Sequence, residues 1–203
     1  MSVNKAAIER HETEVAIIRA SSLGKRAEYW KRFYSSEDFR FLEDPAEIGR
    51  FGVIAEIIFS FFNKPRVLDV GCGLGYLCRM LQRDKIQSYL GVDIGDKAIE
   101  KARQNYPEYS FLCESAENLI IDIPQDVVVF SEVLFYVDYL AILKKAFSFL
   151  APSGLLIASI FSSPSGDSIL RYLGEQKPIK KHIEIISHDT GLVWHVLALQ
   201  DRN

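Results

Sequence analysis

The stretch that decides the fold reads Val67-Leu68-Asp69-Val70-Gly71-Cys72-Gly73-Leu74-Gly75. An apolar run leads into a glycine-rich turn, and a helical pattern follows at once. Glycine tolerates positive φ angles and lets a ligand approach the backbone closely. The first turn of a following helix would offer free N–H groups to a carboxylate or phosphate. The stretch therefore predicts a strand, a ligand-binding turn and a helix over 74–83.

The glycine spacing is G-x-G-x-G, one residue shorter than the G-x-G-x-x-G fingerprint of dinucleotide-binding proteins. Asp93 ends the next apolar run, Leu90-Gly91-Val92-Asp93-Ile94. A carboxylate at that place can accept hydrogen bonds from both hydroxyls of a ribose. Proteins that bind different cofactors hold the ribose with a carboxylate at this place, so Asp93 predicts a bound ribose without identifying the cofactor.

Outward from this stretch, strand-like and helix-like patterns alternate along the chain. The predicted strands are 66–70, 88–93, 109–113, 126–131, 155–161, 179–187 and 192–200, and the predicted helices are 46–62, 74–83, 96–105, 139–150 and 167–174. Such alternation predicts right-handed parallel crossovers and a doubly wound α/β sheet. The hairpin signal Asp189-Thr190-Gly191 predicts that an antiparallel strand closes this sheet.

The composition fits one domain with a short appendage. The 203 residues are 48% hydrophobic, and the net charge of −3 gives no electrostatic footprint for nucleic acid. No apolar run approaches the roughly 20 residues of a membrane span, and 1–10 lacks a signal-peptide core. We therefore expect a cytoplasmic protein without nucleic-acid or membrane partners. We divide it into an N-terminal helical arm, 1–45, and a Rossmann-like domain, 46–203.

At this point the sequence resembles the class I S-adenosylmethionine-dependent methyltransferases. The resemblance covers about 67–199 and rests on VLDVGCGLGYL, GVDIGDKAI, FLCESAENL, VVVFSEVLFYV, LKKAFSFLAPSGLLIASI and the ending IEIISHDTGLVWHVLALQ. It implies a seven-stranded sheet of order 3-2-1-4-5-7-6 with strand 7 antiparallel, and S-adenosylmethionine as the cofactor. The SEVLFYV segment and the short chain are most similar to the small nodulation-type N-methyltransferases.

The resemblance also implies a role for each matching residue. Asp69, near the end of the first strand, would hold the methionine ammonium. The backbone of the glycine turn would pack on the methionine and the ribose. Asp93, at the end of the second strand, would bind the ribose diol. The next segments would meet the adenine and the methionine end. The implied cofactor-binding residues are Asp69, Gly71, Cys72, Gly73, Asp93, Ile94, Ser115, Ala116, Ser131 and Glu132.

One position departs from the family pattern. Ser115 stands where the family usually has an acidic residue that accepts a hydrogen bond from the adenine amino group. The neighbouring Glu114 would point away from the adenine if the segment is extended. The serine hydroxyl can still accept.

The arm carries Tyr29, Trp30 and Tyr34, which are either core packing or an aromatic wall against the sulfonium. We include Trp30 and Tyr34 among the predicted cofactor-binding residues. We expect the arm to cover the carboxyl ends of the strands as a lid. A structural brace or a dimer contact is the alternative.

The sequence shows no compelling catalytic base. Weak candidates are Tyr136 and Glu132, which follow the fourth strand, and His188 beside the hairpin turn. Each has a plain alternative as core cover or solvated loop residue. This favours an amine or a mildly acidic oxygen as acceptor, on a small molecule or a carrier- or sugar-linked group.

Other classes of chemistry and of protein find less support in the sequence. Neither H-x-x-H nor clustered carboxylates appear, so no metal site is predicted. Three cysteines without a C-x-x-C pair predict neither zinc nor disulfides. The alternatives that remain are a nicotinamide-dependent oxidoreductase, disfavoured by the glycine spacing and the hairpin, and a non-catalytic S-adenosylmethionine-binding module.

Overall fold

Helices and strands alternate along the chain and build one mixed sheet with helices on both faces. The computed structural model describes residues 5–36, 39 and 45–200. Its helices are α1 (Lys5–Arg19), α2 (Leu23–Ser35), α3 (Pro45–Phe61), α4 (Asp96–Asn105), α5 (Tyr139–Ser148) and α6 (Pro164–Gln176). Its strands are β1 (Arg66–Val70), β2 (Ser88–Asp93), β3 (Ser110–Cys113), β4 (Gln125–Ser131), β5 (Leu150–Phe161), β6 (Ile179–Ile186) and β7 (Val193–Gln200).

The seven strands lie in the order β3-β2-β1-β4-β5-β7-β6. The strands β1 to β5 pair in parallel, whereas β7 is antiparallel to both β5 and β6. The predicted fold class and strand order are confirmed. Strand β1 pairs with β2 on one side and with β4 on the other, so the direction in which strands are added reverses beside β1. Ligands of open α/β sheets bind in the crevice at such a point, at the carboxyl ends of the strands.

Apolar side chains on both faces of the central strands form the core. In β4, Val128 and Phe130 pack towards α5 and α6, whereas Val127 and Val129 pack towards α3. All four are essentially inaccessible to solvent. This two-sided burial explains why β4 reads as an unbroken apolar run rather than an alternating one.

The helix predicted over 74–83 is wrong. Two short 3₁₀ turns, Tyr76–Arg79 and Arg83–Lys85, stand there instead. Cys78 N–H donates to the carbonyl of Gly75, and Met80 N–H donates to that of Leu77. These hydrogen bonds span three residues, as in a 3₁₀-helix, and not the four residues of an α-helix. Gly75 takes a left-handed backbone with φ of +78°, which an α-helix that starts at Leu74 cannot include.

Two further boundaries differ from prediction. Helix α5 ends at Ser148, and β5 starts at Leu150, so the strand includes residues 151–154, which lie between the predicted helix and the predicted strand. A shift in the β4–β5 pairing between Gln125 and Val127 accommodates these residues. The irregular start of β5 is therefore a bulged extension of the strand.

The N-terminal helices pack against the sheet beyond the carboxyl ends of its strands. Arg19 Nε on α1 donates to the Phe135 carbonyl at 2.9 Å, and Arg26 Nη1 on α2 donates to the Tyr136 carbonyl at 2.9 Å. Lys101 on α4 donates to the Tyr34 carbonyl at 2.7 Å. Residues 1–4, 37–38 and 40–44 of the predicted arm lie outside the described residues. Within the described part, no helix is long and apolar enough to cross a membrane.

Candidate active site

A cavity of about 490 Å³ opens at the carboxyl ends of β1, β2 and β4. The predicted candidate Tyr136 lines it, whereas His188 does not; His188 is exposed beside the hairpin turn. The structure also brings every predicted cofactor-binding residue to this cavity, namely Asp69, Gly71, Cys72, Gly73, Asp93, Ile94, Ser115, Ala116, Ser131, Glu132, Trp30 and Tyr34.

The glycine turn takes a left-handed backbone at Gly71, Gly73 and Gly75, with φ of +75°, +51° and +78°. A Cβ on Gly71 would lie 2.0 Å from the Val133 side chain, and one on Gly73 would lie 2.8 Å from the hydroxyl of Tyr34. Glycine at these places therefore admits close packing by other parts of the protein as well as by a ligand.

Asp93 is held in place by the backbone of the turn. One carboxylate oxygen accepts from Gly73 N–H at 2.9 Å, and the other accepts from Gly95 N–H at 2.8 Å. Burial raises the pKa of Asp93 to about 6, although these two hydrogen bonds oppose the shift. Each oxygen retains capacity for another donor, as a ribose diol would require.

Asp69 offers the cavity an acceptor that lacks a protein partner. Its Oδ2 accepts from the Tyr89 hydroxyl at 2.7 Å. Its Oδ1 is buried and has no hydrogen-bond partner among the described residues. Burial raises the pKa of Asp69 to about 7. A buried carboxylate with one unsatisfied oxygen suits a cationic donor such as an ammonium group.

At the far end of the cavity, beyond β3, the expectation that Glu114 points away is wrong. Strand β3 ends at Cys113, and the chain turns so that Glu114 and Ser115 both line the cavity. Glu114 Oε1 accepts from Ser115 N–H at 2.7 Å, and Ser115 Oγ accepts from Asn118 N–H at 3.2 Å. An acidic side chain thus lines the cavity next to position 115.

Sequence reasoning missed Arg50, which is almost completely buried against the cavity. Its guanidinium pairs with Glu47, donates to Ser131 Oγ at 2.7 Å, and lies 3.8 Å from Glu132 Oε1. Arg50 lies four residues before the buried Ile54, so both side chains are on the same face of α3. An arginine on an apolar helix face was therefore the signal for this buried charge.

Both carboxylate oxygens of Glu132 accept hydrogen bonds, and its backbone is strained, with φ of +60°. It accepts from Ser159 Oγ at 2.8 Å and from Phe161 N–H at 3.0 Å. Burial raises its pKa to about 7, with Arg50 acting in the opposite direction. This carboxylate anchors the segment after β4 to the end of β5.

Sequence reasoning also dismissed His11, which lines the cavity from α1. Its ring packs edge-on against Phe135 and Phe161, with centroids 4.7 and 5.0 Å away. Its Nε2 is buried without a hydrogen-bond partner among the described residues. Burial lowers the pKa of His11, so the neutral ring is favoured. The spacing of His11 from the buried Val15 and Ile18 places it on the inner face of α1.

The aromatic residues of α2 are divided between the cavity and the arm. Trp30 and Tyr34 line the cavity, and Trp30 contacts Tyr136 with ring centroids 5.0 Å apart. Tyr29 is absent from the lining and donates to Glu14 of α1. The arm thus covers part of the cavity, and its closure on a bound ligand stays a prediction.

Residues 67–154 match the sequence profile of a family described as "Methyltransferase domain". A malonyl-[acyl-carrier protein] O-methyltransferase of Bacillus cytotoxicus is 30% identical over 127 residues, which cover 59% of this chain and 45% of the relative. A ubiquinone biosynthesis O-methyltransferase of Bradyrhizobium diazoefficiens is 33% identical over 99 residues, which cover 46% of this chain and 39% of the relative. Each match covers less than half of the curated relative.

Among solved structures, the N-methyltransferase NodS of Bradyrhizobium japonicum WM9, in complex with S-adenosyl-L-homocysteine, has the same fold. The TM-score is 0.74 at 16% identity, and the match covers 87% of this chain and 98% of NodS. Residues 67–154 therefore carry the sequence of a methyltransferase domain, and the chain has the class I methyltransferase fold that NodS shows. Its likeness to NodS in particular is one of fold.

Proposed function

We propose that this protein transfers a methyl group from S-adenosylmethionine to an oxygen atom of a small or carrier-linked acceptor in the cytoplasm. The observation that carries the proposal is a single cavity with two chemically different ends. Asp93 and Glu114 lie at the end beyond β2 and β3, and Asp69 lies beside the glycine turn. His11 lies at the other end, against the residues that follow β4 and β5.

The residues of the first end match the polar groups of the cofactor. Asp93 would accept from the ribose hydroxyls, and the free oxygen of Asp69 would accept from the methionine ammonium. Glu114 or Ser115 would accept from the adenine amino group. When bound, S-adenosylmethionine supplies an electrophilic methyl group with a thioether leaving group.

The protein's own contribution is positioning, exclusion of water and control of one proton. The arm residues Trp30 and Tyr34 would shield the reacting atoms, and alignment of acceptor and cofactor can supply several kcal/mol of the barrier, roughly 7–11 at best. A hydroxyl acceptor must also lose a proton. The neutral His11 ring, with a buried and unpartnered Nε2, would accept it.

An oxygen acceptor also fits the two curated relatives, whose names describe O-methyltransferases. The name of the Bacillus cytotoxicus relative describes a carrier-linked acceptor, malonyl-acyl-carrier protein. The second candidate is an amine acceptor, as in the N-methyltransferase NodS. A neutral amine and a carboxylate need no base before methyl transfer, whereas a hydroxyl does, so dependence on His11 indicates a hydroxyl acceptor.

Two measurements test this function. Calorimetric titration should detect binding of S-adenosylhomocysteine and none of NADH. A turnover assay with methyl-labelled S-adenosylmethionine should then detect transfer to hydroxyl- or carboxyl-bearing acceptors, free or carrier-linked. Tight NADH binding without S-adenosylhomocysteine binding would support the oxidoreductase. Cofactor binding without transfer to any acceptor class would support a non-catalytic module.

His11→Gln is expected to lower kcat at least tenfold with a hydroxyl acceptor, because glutamine keeps polarity but cannot take up the proton. The Kd for S-adenosylhomocysteine should stay within twofold, since His11 lies at the acceptor end. His188→Gln, on the exposed hairpin, is the matched control and should leave both values unchanged. An unchanged kcat in His11→Gln would exclude a base at this position.

Affinity for S-adenosylmethionine is expected to fall as the pH drops below 7. The raised pKa of Asp69 means that the free protein holds a proton there at pH 6, and this proton must leave before the ammonium binds. Affinity should therefore weaken by up to about tenfold per pH unit below 7 and level off above it. Calorimetry from pH 5.5 to 8.5 measures this, and Asp69→Asn should remove the change between pH 7 and 6, leaving the dependence due to Asp93, whose pKa is raised to about 6. A flat wild-type profile would contradict the ammonium contact.

A further inference from the structure

Metal-ligating side chains cluster on the closing hairpin, outside the cavity. We propose that His182, Glu184 and His195 form a binding site for a divalent transition-metal ion, with Zn²⁺ as the natural candidate. Glu184 on β6 lies directly opposite His195 on β7 in the strand register. His182 precedes Glu184 by two residues, so its side chain emerges on the same face of the sheet.

The distances suit a single ion. His182 Nε2 lies 3.0 Å from His195 Nδ1, and Glu184 Oε1 lies 3.6 Å from the same His195 nitrogen. Zinc lies about 2.0–2.1 Å from each such ligand, so any two of its ligand atoms lie at most about 4.2 Å apart. All three ligand atoms fall within 4.8 Å of one another. The Glu184 side chain is 56% exposed, so it is free to turn towards a bound ion.

The donor set also selects the kind of ion. Two imidazoles and one carboxylate are ligands that zinc accepts in proteins, with a water molecule free to take the fourth position. Oxygen-seeking ions such as Mg²⁺ and Ca²⁺ prefer carboxylates, carbonyls and water. In the metal-free protein a proton lies between the two imidazoles in their 3.0 Å hydrogen bond. The metal ion would replace that proton.

The position of the site indicates a structural role. Strand β6 is an edge strand, paired within the sheet only to β7. An ion bound by side chains of both strands would hold β6 against β7 and so stabilise the edge of the sheet. A ligand that binds only the folded state stabilises it in proportion to the logarithm of its concentration over Kd. Zinc should therefore raise the melting temperature of the protein.

The same hairpin offers a matched control. His188 is exposed near the turn, is the same residue type, and is not part of the cluster. Titration of the whole protein with ZnCl₂ should show one ion bound per chain. His182→Ala and His195→Ala should each weaken that binding at least tenfold and abolish the rise in melting temperature, whereas His188→Ala should behave as wild type. Glu184→Gln should weaken binding less.

Circular dichroism of each variant without metal separates loss of the site from loss of the fold. Affinity for S-adenosylhomocysteine provides a second check on folding and should be unaffected. Absence of zinc binding by the wild type would overturn the proposal. So would equal affinity in wild type, His182→Ala and His195→Ala, or an equal loss in His188→Ala.

Discussion

Arg50→Leu is expected to lower the free energy of unfolding by about 3–5 kcal/mol at pH 8. The substitution leaves Glu47 and Glu132 close to each other in a buried site without their shared cation, and removing one partner of a buried ion pair costs this much. It also leaves the hydroxyl of Ser131 without its donor. Urea denaturation followed by circular dichroism measures the change.

Arg32→Leu is the matched control. Its side chain is 79% exposed and pairs with Glu28 on the same helix, so the expected change is within about 0.5 kcal/mol. The loss in Arg50→Leu should also shrink at pH 5.5. Glu132 already has a raised pKa, and without the arginine it takes up a proton more readily, so the folded variant gains protons as the pH falls. A loss below about 1 kcal/mol at pH 8 would contradict this account of the network.

Asp93→Ala is expected to weaken the binding of S-adenosylhomocysteine at least tenfold. The carboxylate would make two charge-assisted hydrogen bonds to the ribose, each worth roughly 1.5–3 kcal/mol, so loss of both would exceed a hundredfold. The substitution also frees the N–H groups of Gly73 and Gly95, which loosens the turn. Calorimetry gives the affinity.

Asp96→Ala provides the control three residues away. Its carboxylate is 52% exposed and faces Lys31 at 3.3 Å, outside the cavity lining. Its Kd should match the wild type within twofold. If Asp93→Ala keeps native circular dichroism and binds S-adenosylhomocysteine as tightly as Asp96→Ala, the ribose contact does not exist.

The sequence by itself determined the sheet and the cofactor end of the cavity. Apolar runs mark the strands because β1, β4 and β5 are buried on both faces. Glycines at 71, 73 and 75, with carboxylates ending β1 and β2, mark the turn because both lie close to it in the chain. These signals are local, so the strands and the turn were predictable from them, whereas the order of the strands was predicted from the resemblance to the methyltransferase family.

Only the tertiary structure decided the remaining features, because each depends on groups distant in the chain. His11 reaches the cavity through the packing of α1 against residues that follow β4 and β5, and Arg50 meets Glu132 across 82 positions of sequence. The hairpin cluster needs the register that sets Glu184 opposite His195. The helix predicted over 74–83 failed at Gly75, because the left-handed backbone of this residue cannot belong to an α-helix.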